Sequence, residues 1–413
     1  MTERIISFAG FAVFLVLAWA ISEDRRRVNW RLVFIALALQ AALAVVVLRT
    51  PWGSAFFEKM RGAFDVIADA TGEGAGFLFG PLASFFMLSE DAVLTSDLPV
   101  EFNVFAFQVL PVVIVVSSIT GVLYHFRIIQ TAVRAMAWLM RRTLKTSGPE
   151  TFGTALMVFL GIESMPSLKA YLQTMSRSEL CTVMTAFMST VAANVMIIYA
   201  TFGAKPEHIL AASLMSAPAA ILIAKLMVPE TEEPAAEESG RMDASAESHN
   251  VVDAAAKGAS DGLKLALNIG ALLIAFVSLV YLVNLFFSAV TGYTFTDLMG
   301  YAFYPFAFLM GVPAADVGEV AQLLGTKTVI NEFLAYSDMN ALIEAGQLQE
   351  RSIMIATYAL CGFANPGSLG ILIAGLTGLV PERRKEITAL GLKAFVGGTL
   401  AVLTTACVVG VIG

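Results

Sequence analysis

Blocks of almost uninterrupted apolar residues recur along the chain, separated by short charged turns. A helix crossing the hydrocarbon core of a bilayer needs roughly 20 such residues. That length predicts transmembrane helices near 5–22, 32–48, 104–124, 181–203, 208–227, 266–290, 353–378 and 388–411. Two further stretches, near 151–175 and 300–340, are apolar but carry charges, glycines and prolines, and they fit a simple span badly. Residues 51–100, rich in Gly and Phe and broken by acids, read as an interfacial helix and loop. The N-terminal run MTERIISFAGFAVFLVLAWAIS has the length of a signal peptide but lacks an A-x-A-like cleavage site, so it reads as a first transmembrane helix.

The two awkward stretches carry the most information. The first, TALMVFLGIESMPSLKAYLQTMSRSEL, holds Glu163 in an apolar setting; the second, GEVAQLLGTKTVINEFLAYSDM, holds Lys327, Asn331 and Glu332. A carboxylate at membrane depth costs several kcal/mol and survives only against protein, substrate, ion or water. Each stretch is followed by a span with a weak middle. After the first come Ser189, Thr190 and Asn194; after the second come Asn365, Pro366, Gly367 and Ser368. Pro366 removes a backbone donor and Gly367 loosens the chain, so that helix should be interrupted. Freed backbone groups at such depth are tolerated only around a cavity.

The order hairpin, broken span, span therefore occurs twice. The fold class predicted is an all-α polytopic membrane protein with about eight transmembrane helices plus two re-entrant hairpins in an inverted repeat, with interfacial helices. Two units of opposite topology are the pattern of secondary transporters, whose substrates bind where the units meet. That point should lie near Glu163, Glu332 and Asn365. Lys327 reads as a snorkelling end residue, and Arg134, Arg141 and Arg142 as a solvated face. The corresponding division is 1–50 (N-terminal helices), 51–145 (interfacial region and scaffold helix), 146–228 (first hairpin, broken helix and span), 229–250 (acidic loop), 251–299 (interfacial helix and scaffold span) and 300–413 (second hairpin, broken helix and last span).

Composition narrows the class. Of 413 residues, 57% are hydrophobic and 14% charged, with a mean hydropathy of +0.76. A soluble chain of this length needs far more charge at its surface. Ordinary soluble enzymes, nucleic-acid binders and secreted disulfide scaffolds are thereby excluded. The net charge of −7 concentrates in 229–250, where seven acids face one base, Arg241; the rest of the chain carries only −1. The acidity thus belongs to one polar loop, expected to be disordered. Cys181, Cys361 and Cys407 lack CxxC spacing, and the three histidines are scattered, so no metal site is expected.

Twelve bases in three loops orient the chain: Arg25, Arg26, Arg27 and Arg31; Arg127, Arg134, Arg141, Arg142 and Lys145; Arg383, Arg384 and Lys385. With both hairpins re-entering on their own side, these loops share one face, which the positive-inside rule makes cytoplasmic. Both termini are then outside and the acidic loop inside, in the plasma (inner) membrane. No GxxxxGK[ST] motif points to an ATP-driven pump, and no nucleophile accompanies the two glutamates, so an enzyme is not expected. A channel would favour a continuous polar pore over two closed hairpins.

The runs GTKTVINEFLAYS at 325–337, LCGFANPGSLGIL at 360–372 and GLKLALNIGALLIAFVSL at 262–279 resemble the signature of the concentrative nucleoside transporters. The likeness extends over the whole chain, as a bacterial-length member. It implies a homotrimeric, cation-coupled nucleoside symporter with an elevator-like transport domain, needing no cofactor beyond co-transported H⁺ or Na⁺. By that resemblance Glu332, Asn365 and Ser368 bind the ribose hydroxyls and Phe363 lines the pocket. A carboxylate accepts from adjacent hydroxyls, and an amide both donates and accepts.

The first hairpin departs from the family pattern. Glu163 matches the family glutamate, but the preceding Gln and Thr or Ser of the family fall on Gly161 and Ile162; Ser164 is the remaining polar neighbour for the base. Sodium-coupled members supply an Asn in the stretch matching Leu156 or Met157, which offer no side-chain oxygen, while Thr190 keeps the second ligand's hydroxyl. Cation coupling is assigned to Glu163, Glu332 and Thr190, with protons favoured, because desolvation lets a buried carboxyl group carry a proton. The alternatives are a carrier of another hydroxylated small molecule and, less favoured, a channel. Partners are the nucleoside and the bilayer, with no nucleic acid.

Overall fold

A computed structural model describes residues 1–80, 82–83, 105–192, 195–196, 199, 204–232 and 248–413. The expected loop at 84–100, Asn194 and most of the acidic stretch lie outside the described residues. Among those described there are helices and no strands.

The predicted first two spans are α1, Thr2–Ala20, and α2, Trp30–Arg49. α3, Pro51–Phe79, follows directly, started by Pro51 and capped by the Thr50 hydroxyl. α4, Leu110–His125, and α5, Ile128–Leu144, meet at 75°. α5 buries Gln130, Val133, Ala137, Met140 and Leu144, a stripe at helical spacing, and turns Arg134, Arg141 and Arg142 outward, as an interfacial helix should.

The first hairpin is α6, Gly148–Leu160, a tight turn at Gly161–Ser164, and α7, Met165–Leu172. α8, Arg177–Ser189, then breaks, and α9, Pro206–Met227, is the following span. The second unit holds α11, Phe295–Leu309, a hairpin of α12, Val317–Val329, and α13, Glu332–Glu344, a broken helix formed by α14, Glu350–Leu360, and α15, Pro366–Leu379, and a last span, α16, Arg384–Ile412. The stretch 300–340 is thus the end of one helix plus the hairpin, because Gly311, Pro313 and their neighbours end α11 before α12 begins. Five described helices are long and apolar enough to cross a membrane by themselves. The broken helices are too short to qualify, and α4 reaches the length only together with α5.

The expected interfacial helix and span at 251–299 merge into one 41-residue helix, α10, Val251–Thr291. No proline interrupts it, and at 1.5 Å per residue it is about 60 Å long, twice the hydrocarbon core. α10 packs along α4 through small residues. A Cβ on Gly258 would lie 2.5 Å from the Ser117 carbonyl oxygen, and one on Gly262 2.9 Å from Ile114 Cα. This is the small-xxx-small contact that lets helices approach in lipid.

The core is elsewhere. α9 is 89% buried along its apolar window, against 12% for α10. α9 packs on α2, α8 and α16, and α16 also touches α1 and α14. Polar contacts join these buried helices: Gln40 donates to Thr405 at 2.9 Å. At one end Lys225 pairs with Glu150 at 2.9 Å and Glu230 at 3.1 Å, while Glu23 binds Arg177 at 2.8 Å and Lys393 at 2.7 Å.

Candidate functional site

Each break leaves carbonyls and amides without helical partners, and at membrane depth they must be satisfied locally. At the α14–α15 break the second hairpin does this. Tyr336 of α13 donates its hydroxyl to the Thr357 carbonyl at 2.8 Å, and Lys327 of α12 donates to the Ala359 carbonyl at 2.8 Å. Lys327 is 3% exposed, so it does not snorkel; its ammonium is spent on the end of α14. Beyond the break, Asn365 caps α15 by accepting from the Ser368 amide at 2.8 Å. Within the hairpin, Asn331 caps α13 by accepting from the Leu334 amide at 3.0 Å.

These two caps put Glu332 and Asn365 face to face. Asn365 Nδ2 donates to Glu332 Oε2 at 2.8 Å, and the Tyr199 hydroxyl donates to Oε1 at 2.9 Å. Tyr199 is fixed by stacking on Tyr336, ring centroids 4.6 Å apart, and by an edge contact with Phe333 at 5.1 Å. Glu332 is 2% exposed and has no ion-pair partner among the described residues. A carboxylate has about four acceptor positions, so two remain for a further ligand.

A cavity of about 750 Å³ opens beside this array. Asn331, Glu332, Asn365 and Ser368 supply its polar wall, and Phe187 and Phe363, with centroids 5.5 Å apart, an aromatic one. From the first half come Leu160, Ala192 and Val195, all apolar, and α10 contributes Asn268 and Phe276.

Four residues singled out from the sequence therefore share one cavity: Glu332, Phe363, Asn365 and Ser368. Ser164 and Thr190 do not line it. Ser164 is buried and donates to the Gly161 carbonyl at 2.7 Å. Thr190 donates to the Ala186 carbonyl at 2.7 Å, with the Met157 carbonyl 3.4 Å away. The Glu163 side chain lies outside the described residues. Sequence reasoning missed Tyr199, Phe187 and Asn268. Tyr199 lies in an apolar run with no nearby polar signal. Asn268 is one of two side-chain amides in the apolar part of a long helix, with Asn284, and that could have marked it.

Inverted hairpins and broken helices around a cavity with one polar wall define a secondary transporter and not an enzyme. The comparisons specify which. The family descriptions "Na+ dependent nucleoside transporter" N-terminus and C-terminus match residues 9–82 and 208–410, and "Nucleoside recognition" matches 106–206. The transporter YutK of Bacillus subtilis is 38% identical over 97% of both chains. Mouse solute carrier family 28 member 3 is 37% identical over 99% of this chain, which spans 59% of that protein's length. The structure of CNTnw in an inward-facing substrate-bound state superposes with a TM-score of 0.90, at 35% identity over 99% of each chain. The chain belongs to the nucleoside transporter family, whose named mammalian members include sodium/nucleoside cotransporters.

Proposed function

We propose that this chain imports nucleosides by proton-coupled symport, with Glu332, Asn365 and Ser368 holding the ribose. The observation that carries the reading is the Tyr199–Glu332–Asn365 array, which leaves acceptor positions open toward the cavity. Two neighbouring hydroxyls satisfy a carboxylate far better than one, which favours a diol. Phe363 and Phe187 offer aromatic faces for the base.

Proton coupling is favoured by the surroundings of Thr190. The Met157 carbonyl is near its hydroxyl, yet Leu156 and Met157 present buried apolar side chains there. A sodium ion needs a shell of oxygens that these side chains do not supply. Glu332, held by neutral donors, is the group we assign to carry the proton, with Glu163 as a second carrier. In this reading Ser164 shapes the first hairpin turn next to the base. An elevator-like cycle is supported by CNTnw variants in outward-facing and intermediate states, with TM-scores of 0.89–0.91. We further propose a homotrimer in the inner membrane, with both termini outside and the acidic loop cytoplasmic.

Uptake of labelled uridine and adenosine into vesicles tests this. Transport should persist without sodium and collapse with a protonophore; a strict sodium requirement overturns the proton assignment. Intact nucleosides should compete and free bases should not; equal competition by free bases overturns the ribose assignment.

A further inference from the structure

The polar groups of the cavity are unevenly committed. Asp261 and Lys264, on one turn of α10, pair with each other at 3.2 Å. Asn331 and Asn365 spend their amide oxygens on helix caps. Of the three lining asparagines, only Asn268 keeps both its amide oxygen and its amide nitrogen without an intramolecular partner among the described residues. It is also an exposed polar residue on a helix whose remaining exposed positions from 267 onward include Leu267, Ile274, Leu279, Leu282 and Phe286. An amide on such a helix is costly unless it meets a polar partner. The lining residues of α10 run from Asp261 through Lys264, Asn268, Ala271 and Leu273 to Phe276, so Asn268 lies within the stretch of α10 that borders the cavity.

Among the described residues, the first half of the chain lines the cavity without a side-chain hydrogen-bonding group. Its described contributions, Leu160, Phe187, Ala192 and Val195, carry no donor or acceptor on their side chains. We propose that Asn268 reads the hydrogen-bonding edge of the nucleobase from the α10 wall. The inference rests on the nucleoside reading above, which engages the ribose at Glu332 and leaves the base edge to be matched elsewhere. A side-chain amide suits that task, because it presents one donor and one acceptor side by side, as base edges do. α10 packs chiefly along α4, so this contact comes from a helix other than those that hold the ribose.

The test is a panel of labelled nucleosides differing only at the base edge, with uptake normalised to the amount of protein in the vesicles. Asn268→Leu should raise KM about tenfold for the preferred nucleosides and flatten the ranking across the panel, the scale of one lost hydrogen bond to a ligand. Asn268→Gln should restore part of the ranking. A uniform fall in maximal rate with KM ratios unchanged means a purely structural role and overturns the proposal. Unchanged KM and ranking overturn it as well. The nucleoside reading is judged separately: if the unaltered protein takes up no nucleoside at all, that reading fails before Asn268 is examined.

Discussion

The two hairpins occupy equivalent places in the repeat, yet their described side chains differ in chemistry. The second carries Lys327, Asn331, Glu332 and Tyr336, and each is tied to the broken helix or to its own cap. The first turns at Gly161, whose φ of +61° and ψ of −146° lie in a region open essentially only to glycine. It sends Leu160 to the cavity, and among the described residues hydroxyls bind carbonyls at its turn, Ser164 on Gly161, and at the following break, Thr190 on Ala186 and Ser213 of α9 on Val191 at 3.1 Å. One architecture thus serves two ends. The second hairpin is a binding device whose side chains also hold the neighbouring helix together. The first, in its described side chains, lines the cavity through apolar Leu160.

That contrast can be broken by substitution. The largest effect is expected at Glu332→Gln, which trades a charged acceptor for a neutral amide while keeping the shape. Uptake efficiency of every nucleoside should fall by about 10²-fold or more, since a site built for hydroxyls is left mismatched; retained transport would mean that the second hairpin is not the ribose site. Next is Lys327→Met, which leaves the buried Ala359 carbonyl without its donor. It should lower stability by about 1–3 kcal/mol, measured as a fall in Tm of the detergent-solubilised protein.

Gly161→Ala forces a side chain into a glycine-only conformation, with its Cβ 2.8 Å from that of Ala192. A cost of roughly 1–3 kcal/mol follows, without change in the substrate ranking. A changed ranking would give the first hairpin a recognition role. Ser164→Ala should cost about 1 kcal/mol or less, because the lost bond is local to one turn.

The smallest expected effect concerns the base of the first unit. Arg177, donating to Glu23 at 2.8 Å, holds that carboxyl at about 2, below its ordinary 4.5, with Lys393 adding to the effect. A lowered value means the contribution is complete above about pH 4.5 and fades as pH falls toward 2. Glu23→Gln should therefore remove a small stabilisation at pH 7 and flatten the acid limb of the melting curve.

The architecture was largely legible in the residues. Spans appear as runs of length matched to hydrocarbon, and the breaks appear where Glu332, Asn365 and Pro366 interrupt such runs. The merger of 251–291 into one helix was not legible, because the polar residues before 266 read equally as an interfacial helix. Lys327 misled for a similar reason. A lysine near the end of an apolar run ordinarily reaches for water, and only the approach of α14 supplies the carbonyl that keeps it inside. Tyr199 gave no signal, since its role depends on Glu332, 133 positions away.

The sequence by itself determined the solvent, the repeat, the family and the residues that cost too much to bury without purpose. Those properties follow from composition and local pattern, because each residue's transfer energy and helix compatibility belong to that residue and its near neighbours. Only the tertiary structure decided which costly residues meet. It joined Glu332 to Asn365 and Tyr199, assigned Lys327 to a helix end, and brought Asn268 to the cavity. Hydrogen bonds act over about 3 Å, and the partners are brought that close by the packing of helices far apart along the chain.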